Sequence, residues 1–486
     1  MSTALVWFRR DLRLHDNPAL IAALETHENI VPVYIHAPHE EAPWQPGAAS
    51  NVWLHHSLTD LQSSLKKLTC PLVIRNTNGK ESSLSALNKL LEDTGADTVY
   101  WNRLYEPAII ERDKAIKADL TENGFTATSC KAALLVEPWE VQTGGGAPYR
   151  VFTPFWKNIK QRPVPQPLAK PEQLASIENI TSETLDSLSL LPTRNWGESM
   201  ISHWQPGEAG AVARLEQFLG APLKTYADDR NRPDREGSSN LSPHLHFGEI
   251  SPRQIWHATE AYVARSQAQG GNADGDKFLS EIAWREFAHH LLFYYPETTE
   301  KPMNAKFSGF PWRDSTTADY KKELQLWQKG NTGIPIIDAG LRELYATGVM
   351  HNRVRMIAAS LLTKNMLIHW HDGAAWFWDT LVDADLAANS LGWQWVAGSG
   401  ADAAPYFRIF NPVLQGEKFD PEGDYVRHWV PEVAKLPKKW VHKPWEAKDE
   451  VLQQAGFTLG KHYPRPIVDL KVTRQRALDA YKEIKG

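Results

Sequence analysis

Apolar positions in the first 130 residues come as short runs separated by stretches of helical spacing. Ala4-Leu5-Val6-Trp7-Phe8 reads as a buried strand. Asn17 stands where it can cap a helix, with Pro18 at the first position and Ala19-Leu20-Ile21-Ala22-Ala23-Leu24 behind it. An asparagine side chain accepts from the free amides of a first turn, and proline has no amide to leave unpaired there. Further strands are expected from Ile30 to Ile35, Leu72 to Ile74 and Thr98 to Trp101. Between and after them, helical spacing runs from Val52 to Leu68, Leu84 to Leu91 and Pro107 to Leu120. Short apolar strands that alternate with helices predict a parallel sheet covered on both faces, a Rossmann-like α/β domain over residues 1–130.

The pattern then changes. Residues 131–205 carry Gly144-Gly145-Gly146, Arg162-Pro163-Val164-Pro165-Gln166-Pro167 and a Ser/Thr-rich run to Ser189, which predict a long extended linker. From about Pro206 the spacing is helical. Helices are expected from Ala209 to Leu219, ended by Gly220, from Asp276 to Tyr294, from Ile334 to Thr347 with Gly348 as C-cap, and from Met350 to Met366. Short strands have no obvious place there, so residues 206–486 are expected to form an all-α domain.

Composition narrows the function classes. A chain of 486 residues is too long for one ordinary core. No apolar run approaches the roughly 18 residues of a membrane span, so no membrane partner is expected. The N-terminus places its apolar run before Arg9-Arg10, the reverse of a secretory signal. Cys70 and Cys130 are the only cysteines, which suits a reducing cytoplasm. A net charge of −5 gives no whole-protein attraction to nucleic acid, so DNA binding would need a local basic patch. The 20 tryptophans are unusual, because each buried indole N–H needs a partner. The first strand runs into Arg9-Arg10-Asp11-Leu12-Arg13, not G-x-G-x-x-G, so the usual dinucleotide fingerprint is absent.

Candidate chemistry gathers in the helical half, most densely from Trp370 to Gln415. Glu281, Trp284 and Arg285 share one helix face; an exposed acid–base pair beside a half-buried Trp is the plainest reading. Asn352, Arg355 and Met356 repeat that spacing, with Arg353 pointing elsewhere, toward solvent or a phosphate. Asp383, Asp385 and Asn389 lie among apolar residues, and buried acids need partners, for which Arg355 is a natural choice for Asp383. His369 and His371 are two apart, which suits no metal pattern, so no metal is expected. The turn Gly237-Ser238-Ser239-Asn240-Leu241-Ser242-Pro243 either caps a helix or presents hydroxyl and amide groups to a phosphate.

Taken in order, these segments resemble the photolyase/cryptochrome family over nearly the full length. The resemblance rests on Trp7-Phe8-Arg9-Arg10-Asp11-Leu12-Arg13-Leu14 with Asp16-Asn17, Trp284-Arg285-Glu286-Phe287, Met350-His351-Asn352-Arg353-Val354-Arg355-Met356, Asp383-Ala384-Asp385-Leu386-Ala387, Gly392-Trp393-Gln394-Trp395, and the stretch Asp402 to Pro412. It implies FAD in the helical domain, with Tyr226, Ser238, Ser239, Asn240, Leu241, Ser242, Arg285, Asn352, Asp383, Asp385 and Asn389 as contacts. It further implies an Arg355–Asp383 ion pair beside the isoalloxazine and Asn389 facing flavin N5. Trp393, Trp370 and Trp312 align with the family's electron relay. Trp284 and Trp395 align with walls that stack on flipped bases, and Arg230, Arg353, Arg408 and Gln415 with contacts to DNA. The implied reaction is light-driven splitting of a cyclobutane pyrimidine dimer, in which one electron passes from excited, reduced FAD to the dimer and returns. Glu281, Asn352, Met356 and Asn389 are the expected catalytic residues.

Two features separate repair of UV-damaged DNA from the alternative, a cryptochrome-type blue-light photoreceptor. Similar plant photoreceptors carry a proton-donating Asp where Asn389 stands, and the chain ends at Gly486 without a long tail. Asn352 favours cyclobutane dimers over the (6-4) lesion, whose photolyases place a second His there. Val349 and Asn240 depart from common family residues. Ala108-Ile109 stand where folate-binding members carry Asn-Glu, so a second antenna chromophore stays open between another folate pose, a deazaflavin and none. The expected protein is a monomer of the bacterial type, cytoplasmic and nucleoid-associated when bound to DNA.

Overall fold

The computed structural model describes every residue except Met1, Glu178, Asn272, 403–406 and Gly486. Residues 403–406 belong to the Asp402 to Pro412 motif, so that part of the resemblance lies outside the described residues. The chain forms two compact units. The first comprises Met1–Lys224, Ser239–Pro296 and Val382–Ala387, and the second Thr225–Ser238, Glu297–Leu381 and Ala388–Gly486.

The first unit contains a parallel sheet of β1 (Thr3–Phe8), β2 (Asn29–His36), β3 (Val73–Asn76), β4 (Thr98–Asn102) and β5 (Thr126–Cys130), in the order β3-β2-β1-β4-β5. β1 is the central strand and all six of its residues are buried. Leu5 aligns with Val31 on one side and Val99 on the other. The expected helices are present as Pro18–Thr26, Ala48–Lys67, Ser83–Thr94 and Pro107–Glu122. Asn17 caps the first of them, its side-chain oxygen accepting from the Leu20 amide at 3.2 Å. β5 is not foreshadowed by the hydrophobic pattern, because Thr126-Ala127-Thr128-Ser129-Cys130 is an edge strand left partly open to solvent.

The end of β1 explains the missing glycine fingerprint. The sheet order reverses between β1 and β4, where a doubly wound sheet ordinarily leaves a ligand crevice. Here the chain's own polar groups occupy that position. Asn102 donates to Asp11 at 2.5 Å and to Asn17 at 2.8 Å, and Arg9 pairs with Asp113 at 2.6 Å. Arg13 donates to the carbonyl of Gly248 at 2.8 Å, which ties the motif to the helical part of the same unit.

The 131–205 segment corrects the expectation of an extended linker. It contains the helices Phe152–Lys160 and Trp196–Ile201. Phe152, Phe155 and Ile159 are buried at helical spacing, a signal masked in the sequence by the Gly and Pro runs around it. Glu208–Gly220, Pro252–Ala268 and Asp276–Tyr294 complete the principal helices of this unit.

The second unit is helical; among its described residues the one β-type pairing is an isolated bridge between Leu459 and Tyr463. Pro335–Thr347 ends on Gly348 in the left-handed conformation, φ 72°, as the sequence predicts. The helix expected from Met350 to Met366 is instead Asn352–Ser360, continued by a π-helical turn at Leu361–Asn365. His351 sets its start, since its ring accepts from the Arg353 amide at 3.2 Å. Trp370–Thr380, Pro412–Phe419 and Leu470–Lys485 follow, with Leu386–Ala397 entering from the segment grouped with the first unit. No helix among the described residues is long and apolar enough to cross a membrane.

Gly248 holds φ 66°, and a Cβ there would meet the Arg10 carbonyl oxygen at 2.2 Å. Left-handed backbone alone costs a non-glycine residue roughly 1–2 kcal/mol, and the backbone clash adds to it. Gly248→Ala is therefore expected to lower stability by at least about 2 kcal/mol. Chemical denaturation followed by circular dichroism measures this; an unchanged midpoint would contradict the packing described.

Candidate functional site

In the first unit the candidate residues meet around two carboxylates, the buried Asp383 and the partly buried Asp385. Ser242 donates its hydroxyl to Asp383 at 2.6 Å. Asp385 lies 3.3 Å from His289 Nε2, and His289 Nδ1 is 2.9 Å from the Arg285 carbonyl. A carbonyl only accepts, so Nδ1 carries a proton, and a second proton on Nε2 makes the ring an imidazolium facing Asp385. Burial opposes the charge on His289, but attraction and hydrogen bonding from Asp385 outweigh it and raise its pKa. Burial likewise opposes the Asp385 charge, yet His289, Arg285 and His246 hold this carboxyl far below the usual range. Arg285 itself donates to the Ala133 carbonyl at 2.7 Å. Its neighbour Glu286 receives the amides of Leu135 and Val136, at 2.9 Å and 3.3 Å, and is raised to about 7 by burial.

His289 and Glu286 were missed in the sequence reading. A signal was present: Glu281, Arg285 and His289 continue one helix face at i, i+4 and i+8. Glu281 pairs with Lys277 at 3.0 Å and stays half-buried. Trp284 is half-buried and stacked on Phe152, ring centres 3.8 Å apart.

The serine turn has the chemistry of an anion cradle. Ser239 Oγ accepts from the Leu241 amide at 3.4 Å, and Asn240 adopts φ 54°. Among the described residues, the amides of Ser238, Ser239 and Asn240 donate to no protein acceptor. Free amides in such a turn suit a phosphate.

In the second unit the basic candidates come together. Arg353 donates to Asn231 at 2.5 Å and lies over the Phe419 ring at 4.4 Å. Burial lowers its pKa, and Arg230 and Arg408 lower it further, which places three guanidiniums near one another. Arg408 lies 6.0 Å from the Trp395 ring, whose N–H donates to the Asp402 carbonyl at 3.2 Å. Arg230 lies 5.7 Å from the ring of the buried Tyr226. Gln415 has a buried side-chain oxygen with no protein donor among the described residues. Arg355 donates to the Met350 carbonyl at 2.6 Å, Asn352 is exposed and Met356 is half-buried.

His351 is a further residue the sequence reading did not single out. Its Nδ1 accepts from a backbone amide, so the neutral ring carries its proton on Nε2, which is buried with no partner among the described residues. Burial first, then Arg355, Arg353 and Arg230, lower its pKa to about 4. It is a neutral donor awaiting an acceptor.

Asn389 donates its amide nitrogen to the Ala374 carbonyl at 3.1 Å, which leaves the amide oxygen as an acceptor. The same helix, Trp370–Thr380, organises the tryptophans. Trp393 packs edge-on against Phe377 at 5.0 Å, admitted by Gly373, where a Cβ would meet the indole at 2.1 Å. Trp312 and Trp370 both approach His369, with ring centres at 5.1 Å and 5.6 Å. His369 caps this helix, accepting from the His371 amide, and His371 faces Glu300 at 3.0 Å. No group of metal-ligating residues occurs among the described residues.

Residues 4–172 match the family described as DNA photolyase, and residues 278–483 match the FAD binding domain of DNA photolyase. The chain is 48% identical to a deoxyribodipyrimidine photo-lyase of Agrobacterium fabrum, covering 99% of this chain and 98% of that protein. It is 38% identical to cryptochrome-1 of Arabidopsis thaliana, covering 99% of this chain and 70% of the plant protein. A crystal structure of a bacterial class III photolyase from Agrobacterium tumefaciens superposes with a TM-score of 0.94 at 48% identity, covering 100% of this chain and 98% of that one.

The Asp385–His289 pair gives a pH signature. Asp385 is depressed from the ordinary 3.8, so its contribution is complete above that value and lost as pH falls toward the depressed pKa. His289 is raised from the ordinary 6.5, so its contribution is complete below that value and lost as pH rises through the raised pKa. The stability difference between wild type and His289→Gln is thus expected to be greatest between pH 3.8 and 6.5 and to shrink on both sides. Denaturation midpoints measured across pH test this; a difference independent of pH would refute the charged pair.

Proposed function

Because the chain belongs to the photolyase/cryptochrome family, we propose that it repairs cyclobutane pyrimidine dimers in DNA in a reaction driven by blue light. The observation that carries repair over photoreception is the Asn389 amide. Its nitrogen is committed to the Ala374 carbonyl, so the group it offers toward flavin N5 is an oxygen that accepts and has no proton to give. Such a residue supports the reduced cofactor, whose N5 bears a hydrogen.

Bound FAD, in its reduced form, supplies the photoexcitable electron. The protein's residues bind, orient and shield. The free amides of the Ser238–Ser242 turn hold the diphosphate, with Tyr226, Arg285, Asp383 and Asp385 as further contacts to the cofactor. Ser242 fixes the Asp383 carboxylate, and Arg355 and Asn352 contribute their polar groups to the same cofactor.

The dimer leaves the duplex to be repaired, as photolyases and other enzymes that act on a stacked base require. Trp284 and Trp395 supply apolar faces for its bases and keep water out. Glu281 and Met356 meet the dimer, with Glu281 hydrogen-bonding to the charge that develops on the base. Arg230, Arg353, Arg408 and Gln415 hold the flanking phosphates and sugars, for which the planar guanidinium fork is suited. Trp393, Trp370 and Trp312 carry electrons inward to restore a cofactor lost to oxidation. A folate or deazaflavin antenna would need groups other than Ala108-Ile109, since Ile109 is buried and apolar.

The direct test mixes reduced holoprotein with DNA containing one defined cyclobutane dimer, in blue light and in darkness. Loss of the dimer only in light is expected, and its persistence in both would overturn the proposal. Glu281→Ala is expected to lower the repair yield with the flavin spectrum intact; a lost spectrum would place Glu281 at the cofactor instead. Arg353→Gln should weaken binding to damaged and undamaged DNA alike and reduce the slope of log affinity against log salt by about one. A salt titration of binding reads this, and an unchanged slope would remove Arg353 from the DNA interface.

A further inference from the structure

Lys364 is 1% exposed, and the proposed repair reaction leaves it without a task. A lysine is rarely buried so completely, and burial lowers its pKa well below the ordinary 10.5. Its backbone belongs to the π-helical turn Leu361–Asn365, in which the Met366 amide donates to the Leu361 carbonyl at 3.0 Å. Such turns are uncommon and recur at functional sites. Consecutive side chains of this turn meet different neighbours. Asn365 donates to Thr473 of the helix Leu470–Lys485 at 2.8 Å. Lys364 Nζ donates to the Ala397 carbonyl at 2.6 Å and lies 3.1 Å from the centre of the Phe407 ring. Ala397 ends the helix Leu386–Ala397, where carbonyls lack an intrahelical partner and carry partial negative charge.

Both contacts lie beside residues assigned to DNA. Trp395 is two residues before Ala397. Arg408 follows Phe407 and lies 6.0 Å from the Trp395 ring. Ser360, immediately before the π-helical turn, accepts from the Phe410 amide at 3.1 Å, so the same region also holds the backbone beyond Arg408. Phe407 is backed by Tyr481, ring centres 4.4 Å apart and nearly parallel. Gly398 closes the junction: at φ 90°, a Cβ there would meet Phe407 at 3.1 Å and Lys364 Nζ at 3.2 Å. One amine therefore ties the end of the helix that bears Trp395 to the segment that bears Arg408.

We propose that Lys364 is a positioning residue for DNA binding: by joining Ala397 to Phe407 it sets the spacing between Trp395 and Arg408 before the damaged strand arrives. The inference rests on the repair reading for the roles of those two residues. Groups already held in place need no ordering when DNA binds, and the affinity that ordering would cost is kept.

The test is Lys364→Met, which keeps an unbranched apolar stem and removes the donor. Replacing a buried amine by an apolar group should leave the denaturation midpoint unchanged or raise it. The Kd of reduced holoprotein for DNA with one defined cyclobutane dimer should rise roughly tenfold. The repair rate at saturating DNA and the flavin spectrum should stay at wild-type values, as should the slope of log affinity against log salt, because no phosphate contact is removed. In the free holoprotein, hydrogen exchange over 395–402 and 407–410 should quicken, while exchange in Leu470–Lys485 does not. Gly398→Ala, which crowds the same junction, should reproduce the affinity and exchange changes. Lys322→Met, at an exposed position of the helix Ala318–Gln328, should change none of these. Wild-type exchange over both stretches in Lys364→Met and Gly398→Ala would overturn the junction. Faster exchange with wild-type affinity would remove its role in DNA binding. A salt slope reduced by about one in Lys364→Met would make Lys364 a phosphate contact instead. Failure of the wild-type holoprotein to bind the dimer would overturn the repair reading, and exchange would still decide whether Lys364 holds the junction.

Discussion

Asp385 is an ionised carboxylate whose side chain is only 11% exposed, and an unpaired charge so placed costs several kcal/mol. Its ion pair with His289 is the interaction on which the first unit's chemistry depends. The pair is not isolated. His289 is held in its charged form by the Arg285 carbonyl on its other nitrogen, and Arg285 is itself anchored on Ala133. Glu286, next in sequence, receives the amides of Leu135 and Val136. One helix, Asp276–Tyr294, therefore pins the start of the 131–205 segment, supports Asp385 and carries Trp284 on the stack with Phe152. The same constraint accounts for the grouping of Val382–Ala387 with the first unit: Asp383 and Asp385, which bind Ser242 and His289, both lie on it.

The sheet was legible because its strands are short, apolar and buried, and Asn17-Pro18 marks a helix start with a mechanism. β5 was not, because an edge strand with polar side chains carries no hydrophobic signature. The helices inside 131–205 were hidden by neighbouring Gly and Pro, whose local signal is strong although Phe152, Phe155 and Ile159 keep a helical period. The end of the fourth expected helix was overrun because a π-helical turn preserves apolar composition while changing the hydrogen-bond step. In the site, spacing grouped Glu281 with Arg285 and Asn352 with Arg355, but it gave no access to partners far apart in sequence. Ser242 with Asp383, Arg353 with Asn231, and Trp312 with His369 are tertiary contacts, which spacing along the chain does not encode. The roles of these residues came from the family resemblance, since polar groups among tryptophans fix no chemistry by themselves.

A chain with a net charge of −5 needs a local reason to approach DNA. In the proposed repair reading the Arg230, Arg353 and Arg408 group supplies that reason, and its energetics point the same way as its composition. Burial and the other two guanidiniums lower the pKa of Arg353, and its Nε has no protein acceptor among the described residues. His351 nearby is kept neutral by the same charges and presents an unpartnered donor. Like charges held close are unfavourable until an anion arrives between them, so part of this region's stability is given up in the free protein and regained on binding. Phosphate contacts made by such pre-positioned groups gain affinity because the ordering is already complete. With a net charge of −5 over the whole chain, a local group of guanidiniums is what such an encounter would need.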